Sequence, residues 1–162
     1  MSKLKESKRR PLIIGLGNVF RGDDALGIEF VNTMKSRYPN AADYHIESGD
    51  CLELPGIWKE RDTIVVDAVH THEQMAGRIH TFESLAELSL ASEQMFSTHG
   101  FGLKEAIGLA EQLGKLPNSM LVVGVEGVSW DIGARFSDET ASAFPGVEDL
   151  VMSRVVTMAD SM

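Results

Sequence analysis

The sequence predicts an α/β fold: a three-layer sandwich in which a largely parallel, twisted sheet of about five strands carries helices on both faces. Short apolar segments of strand length alternate along the chain with amphipathic segments of helix length. Strands that alternate with helices form parallel sheets that are covered on both sides. With 162 residues, the chain has the size of one domain. We expect a flexible basic tail over residues 1–10 and a single domain over residues 11–162.

Five segments have the composition of strands. They are residues 11–17 (PLIIGLG), 43–48 (DYHIES), 63–68 (TIVVDA), 78–82 (RIHTF) and 120–125 (MLVVGV). The third and fifth are short apolar runs, typical of strands buried at the centre of a sheet. The fourth is more polar and is expected at an edge.

Three segments carry apolar residues at helical spacing. They are residues 24–38, the segment from residue 98 to residue 113, and a C-terminal segment over residues 147–158. Gly114 is expected to cap the second of these helices, and Pro145 with Gly146 to break or begin the third. Residues 83–95 are interpreted as a loop with some helix.

Charge and cysteine content exclude several classes of function. A net charge of −9 repels phosphate backbones and anionic lipids, so neither nucleic acid nor a membrane is an expected partner. The single cysteine, Cys51, excludes an intrachain disulfide and fits a reducing compartment, which favours a cytoplasmic protein. Asp50 and Glu53 beside it disfavour a thiolate, so Cys51 is interpreted as structural.

Polar residues gather where the predicted strands end, the edge at which open α/β sheets bind their ligands. Asp23 and Asp24 follow the glycine loop after the first strand, Asp67 ends the third strand, and His99 begins a helix. Two carboxylates and one neutral imidazole form an O,O,N set of ligands suited to a transition metal. The sequence therefore predicts a metal triad of Asp24, Asp67 and His99.

Structural roles compete with these assignments. One of Asp23 and Asp24 is enough to cap the following helix, Asp67 could bind loop amides, and a lone histidine is more often a satisfied polar residue. Further residues near the same edge are His70 and His72, as minority ligand candidates, and Glu126, in a supporting role. Four others are interpreted as structural: His45, His80, Trp58 and Trp130.

Several sequence elements, in order, resemble those of the hydrogenase maturation proteases. Residues 15–18 (GLGN) and 23–27 (DDALG) are similar to that family's opening G-x-G-N-x4-D-[DE]-x2-G signature. Residues 65–68 (VVDA) resemble its strand-ending D-A element, and residues 97–103 (STHGFGL) its S-x-H-x-x-G/L segment. Residues 121–125 (LVVGV) are similar to its late V-G-V/I strand. The agreement runs from residue 11 to residue 126, and no family pattern is matched beyond it.

The resemblance implies a phosphorylase/hydrolase-like sandwich and an aspartyl-type endopeptidase. Such an enzyme removes the C-terminal extension of the [NiFe] hydrogenase large-subunit precursor after nickel insertion. Asp24, Asp67 and His99 would bind the nickel and act in catalysis, with Asp24 standing where the family often has Glu. The nickel is expected to arrive with its precursor rather than as a permanent cofactor. The nickel-loaded precursor is the expected partner, and the protease itself is expected to be a monomer.

Two other functions stay open at this stage. A non-enzymatic nickel-binding or delivery module would need the same triad. A peptidyl-tRNA hydrolase-like esterase shares the opening GLGN, but it should continue N-P-G, whereas Asn18 is followed here by Val19 and Phe20. The chain has neither a G-x-S-x-G elbow nor an H-E-x-x-H motif, which disfavours a conventional serine protease or zincin.

Overall fold

The computed structural model describes residues 9–91, 95–96 and 102–161. Its strands are β1 (Leu12–Leu16), β2 (Asp43–Glu47), β3 (Asp62–Thr71), β4 (Ile79–Phe82), β5 (Met95–Phe96) and β6 (Ser119–Glu126). A 3-10 helix (Gly22–Ala25) precedes α1 (Leu26–Arg37), and the later helices are α2 (Leu54–Trp58), α3 (Leu85–Ala91), α4 (Leu103–Leu113) and α5 (Asp138–Asp160).

The main sheet has the strand order β2-β1-β3-β6-β4. Strands β2, β1, β3 and β6 run parallel to one another. Strand β4 forms one edge of the sheet and is antiparallel to β6. The two-residue β5 pairs antiparallel with the end of β3, where Phe96 lies opposite His70. The prediction of a largely parallel sheet of about five strands, with residues 78–82 at an edge, is confirmed.

Helices cover both faces of this sheet. Because side chains alternate along a strand, Ile64 and Val66 of β3 face one way and Val65 faces the other. The first face packs against the buried residues of α1 and α5, and the second against those of α2 and α4. The three-layer sandwich is therefore confirmed. Within the described part of the chain, no helix is long and apolar enough to cross a membrane.

The start of α1 lies directly on the sheet backbone. A Cβ atom on Gly27, the second residue of α1, would come within 2.2 Å of the Leu16 carbonyl oxygen and 2.5 Å of that of Val66. A Cβ on Gly15 would come within 2.1 Å of the Gly27 carbonyl oxygen. Only glycine permits so close an approach, which places the preceding 3-10 helix at the carboxyl edge of the sheet.

The structure differs from the sequence prediction in several elements. The prediction that Pro145 breaks or begins the last helix is wrong, because α5 runs through it. The N-cap of that helix is Ser137, whose hydroxyl oxygen accepts a hydrogen bond from the Thr140 N–H. Pro145 lacks an amide N–H and so costs the helix one hydrogen bond, but burial of the apolar face of α5 stabilises the helix by more than this loss. The elements α2 and β5 were not predicted, because five and two residues are too few to show a periodic pattern.

Substitution of Gly27 tests the contact between α1 and the sheet. We expect Gly27→Ala to lower the free energy of unfolding by at least about 2 kcal/mol, because the new methyl group would overlap two carbonyl oxygens. Gly108→Ala is the matched control, since nothing lies within 4 Å of a Cβ at that position in α4. It should raise stability by about 0.5–1 kcal/mol. Equal urea midpoints for the two variants would contradict the contact.

Candidate active site

Asp24 and Asp67, two of the three predicted site residues, lie at the carboxyl edge of the sheet. Asp24 belongs to the 3-10 helix that follows β1, and this helix contacts β3, the strand that carries Asp67. Both side chains are buried, at 1% and 4% exposure. Two carboxylates on contacting elements, both withdrawn from water, make this edge the strongest candidate for chemistry.

The glycine loop after β1 sets the position of Asp24. Gly17 has a φ of +155°, and a Cβ there would lie 2.0 Å from the Asp24 carbonyl oxygen. The Asn18 N–H donates to that same oxygen at 3.0 Å. The Asn18 side-chain oxygen accepts from the Phe20 N–H at 2.9 Å, which closes the turn. The GLGN sequence thus fixes the backbone of Asp24 by direct contact.

The neighbouring Asp23 has a structural role. Its carboxylate accepts hydrogen bonds from the Val128, Ser129 and Ser137 N–H groups at 2.8, 2.9 and 2.7 Å, and from the Ser137 hydroxyl at 2.8 Å. The interpretation that one of the two aspartates caps the following helix is wrong, since neither the 3-10 helix nor α1 has a side-chain cap. Asp23 instead ties the β1 loop to the segment between β6 and α5.

These hydrogen bonds govern the ionisation of Asp23. Burial by itself raises the pKa of this carboxyl, but the donors of Ser137, Val128 and Ser129 outweigh it and hold the pKa below its ordinary value of 3.8. Asp23 is therefore a buried anion committed to the fold.

The environment of Asp67 is acidic. Side chains alternate between the two faces of the sheet along β3, and those of Val66 and Ala68 face α1 and α5. The side chain of Asp67, between them, therefore faces α2 and α4. Cys51 lies fully buried on that side. Burial, and then the charges of Asp67 and Glu47 together with those of Asp50 and Glu105, raise the pKa of the Cys51 thiol to about 12. A thiol that stays protonated is no nucleophile, which confirms the structural interpretation of Cys51.

Glu126 forms a second buried polar group beyond Asp67. Its Oε1 atom accepts from the Thr71 hydroxyl at 2.8 Å and lies 2.9 Å from His80 Nε2. Burial raises the pKa of Glu126, but the hydrogen bonds from His80 and Thr71 outweigh it and lower the pKa. The sequence placed Glu126 correctly at this edge. The contact with His80, which was interpreted as structural, was not visible in the sequence, because it depends on the antiparallel pairing of β4 with β6.

His99, the third predicted site residue, lies outside the described residues. Over residues 9–91, 95–96 and 102–161, no three His, Cys, Asp or Glu side chains form a group that could hold a metal ion. Of the minority candidates, His70 has its ring centroid 5.3 Å from that of Trp130, and His72 is exposed. The described residues alone therefore do not form a metal site of three such side chains.

Comparison with known proteins identifies the family. A sequence model described as hydrogenase maturation protease matches residues 52–154, more than half of the chain. The match continues beyond residue 126, so the interpretation that no family pattern extends past that residue is wrong. The chain belongs to the hydrogenase maturation protease family. It is accordingly a hydrolase of the peptidase class. This result favours the protease over the peptidyl-tRNA hydrolase-like esterase.

Individual relatives agree with this assignment. The protease is 26% identical over 120 residues to the hydrogenase 2 maturation protease of Escherichia coli K12, which covers 72% of each chain. It is 24% identical over 119 residues to the hydrogenase expression/formation protein HupD of Bradyrhizobium diazoefficiens, covering 72% of this chain and 62% of that protein.

Solved structures share the fold. The E. coli hydrogenase maturating endopeptidase HybD superposes with a TM-score of 0.76 at 22% identity, covering 91% of this chain and 93% of HybD. The [NiFe] hydrogenase maturation protease HybD of Thermococcus kodakarensis gives a TM-score of 0.70 at 20% identity, covering 90% and 99%. At such identities the superpositions support the fold alone.

The role of Asp23 predicts a pH-dependent loss of stability. We expect Asp23→Asn to lower the free energy of unfolding by about 2 kcal/mol at pH 7, because it removes charge-assisted hydrogen bonds and leaves buried donors unsatisfied. The folded pKa lies below 3.8, so the native carboxylate stabilises fully above that pH and loses its contribution as the pH falls through the folded pKa. Urea unfolding at pH 7 and pH 3 should show the difference between the proteins shrinking at the lower pH. An unchanged difference would contradict this role.

Proposed function

We propose that this protease removes the C-terminal extension of a [NiFe] hydrogenase large-subunit precursor after nickel insertion. In this proposal Asp24, Asp67 and His99 bind the nickel that the precursor carries, so the metal belongs to the substrate. The observation that carries the proposal is the pair of buried carboxylates on contacting elements at the sheet edge of a hydrogenase maturation protease.

The chemistry of the pair supports a metal-directed role. Carboxylate oxygens suit a divalent transition metal, and burial removes the water that would compete for it. Asp23 cannot take this role, because four donors already surround its carboxylate. We therefore assign the metal-directed role to Asp24 and Asp67.

The assignment of His99 rests on the sequence. His99 lies in residues 97–103 (STHGFGL), which resemble the S-x-H-x-x-G/L segment of the hydrogenase maturation proteases. A neutral imidazole would add a nitrogen ligand to the two carboxylates of the proposed set.

The proposed reaction is peptide hydrolysis at a bond held in place by nickel. Water adds to the scissile carbonyl carbon, its proton passes to a carboxylate base, and the departing amine takes up a proton as the C–N bond breaks. The precursor's nickel, once bound by the enzyme, fixes the register of the nearby peptide. Cleavage before nickel insertion would then be slow, because an empty precursor offers nothing for the three side chains to bind.

Single substitutions test the three assignments. Asp24→Asn, Asp67→Asn and His99→Ala should each slow processing of a nickel-loaded precursor by roughly 100-fold or more. Processing is followed by the mobility shift of the large subunit on a denaturing gel. Asp149→Asn, an exposed aspartate on α5, is the matched control and should process normally.

Circular dichroism spectra and thermal melts must accompany these assays. A variant that unfolds says nothing about the site. If all three variants fold and still process the precursor at the rate of the Asp149→Asn control, the assignment of the triad is wrong. If the unmodified protease leaves nickel-loaded precursors intact, the proposed substrate is wrong.

A further inference from the structure

Four large apolar side chains stand exposed beside the candidate active site. Val19 and Phe20 lie on the loop between β1 and the 3-10 helix, with 46% and 72% of their surface exposed. Val128 and Ile132 lie on the segment between β6 and α5, with 47% and 83% exposed. We call these four residues the apolar rim. Exposed apolar residues concentrated on one functional edge are typical of an interaction surface.

Backbone contacts hold the two halves of the apolar rim together. The Gly133 N–H donates to the Phe20 carbonyl oxygen at 2.7 Å, and the Asp23 N–H donates to that of Ser129 at 2.7 Å. The Arg21 Nε–H donates to the Trp130 carbonyl oxygen at 3.1 Å. Because these bonds exist in the protein alone, a partner that binds the rim does not have to order it first.

A groove continues the rim on the α1 side. It has a volume of about 400 Å³. Apolar residues form most of its lining, among them Val19, Ala25, Phe136 and Phe144, and Glu29 and Thr33 are its polar members. Ala25 follows Asp24 directly, so the groove begins at the same 3-10 helix as the candidate site. The apolar residues of the lining favour an apolar side chain of a partner, and Glu29 disfavours an acidic one.

We propose that the apolar rim and this groove bind an apolar segment of the hydrogenase precursor that lies next to its nickel-bearing peptide. This inference rests on the proposed function. Val19 and Phe20 lie just before the 3-10 helix that carries Asp24, and the carboxylate of Asp23 on the same helix binds the segment that carries Val128 and Ile132. A precursor whose nickel reaches Asp24 therefore passes next to the rim. Docking here adds affinity from residues outside the reacting group and orients the precursor.

The size of the rim favours a transient partner over a second copy of this chain. Four partly exposed side chains offer on the order of 400 Å² of apolar surface. One partner of a stable complex buries about 800 Å², and weak, short-lived complexes bury less. A protease that must release its processed product needs the weaker kind of contact.

The double variant Phe20→Ser/Ile132→Ser tests the inference. Neither residue belongs to the buried core, so the fold should be retained. We expect the precursor concentration that gives half-maximal processing to rise at least tenfold, with little change in the rate at saturation. The control Leu90→Ser/Val156→Ser removes side chains that are 74% and 57% exposed on α3 and α5, and it should behave as the unmodified protease.

Direct binding separates this inference from the proposed function. Association of the uncleaved, nickel-loaded precursor with the immobilised full-length protease should weaken at least tenfold in the rim variant, whether or not cleavage follows. Equal binding by the rim variant and the control overturns the docking surface even if processing by the unmodified protease is normal. Sedimentation of the protease alone gives a further check. A dimer that the rim substitutions dissolve would assign the rim to a second copy and overturn the inference.

Discussion

The contact between the first turn of α1 and the backbone of the sheet is the constraint on which the site depends. Gly27 lies on the carbonyl oxygens of Leu16 and Val66, and Gly15 leaves room for the Gly27 carbonyl. No residue with a side chain permits that distance. This contact positions the 3-10 helix at the carboxyl edge of the sheet. Asp24 lies on that helix, which contacts β3, the strand that carries Asp67. The glycines of the opening motif allow close packing of α1 on the sheet, and this packing in turn positions the candidate site.

Asp23 and Asp24 are adjacent, but we assign them different roles: a structural one to Asp23 and a functional one to Asp24. Four donors compensate the burial of Asp23, and this buried anion joins two loops that are more than 100 residues apart in the chain. These bonds fix the two loops relative to each other, as the metal site that we propose would require. The same bonds also position the exposed apolar residues on both loops. One buried carboxylate thus supports the candidate site and the surface beside it.

Much of the fold follows from patterns that are visible in the sequence. Apolar runs and helical stripes predicted the five main strands and the long helices, because burial imposes a period on each. The edge that carries Asp24 and Asp67 followed from the rule for parallel sheets. The role of Asp23 could not be predicted from the sequence. Most of its hydrogen-bond donors are backbone N–H groups, which every residue except proline has, so no residue type marks them. The link between Glu126 and His80 was equally hidden, since it depends on the pairing of two strands distant in sequence.

Nickel K-edge X-ray absorption of the nickel-loaded precursor tests the account most directly, using a precursor whose scissile bond has been altered to resist cleavage. Adding the protease should introduce oxygen and nitrogen atoms into the first coordination shell of nickel. A protease in which Asp24, Asp67 and His99 are all replaced by Ala should leave that shell as it is in the precursor alone. An unchanged nickel spectrum with the unmodified protease, under conditions where the two proteins are bound, would contradict the account.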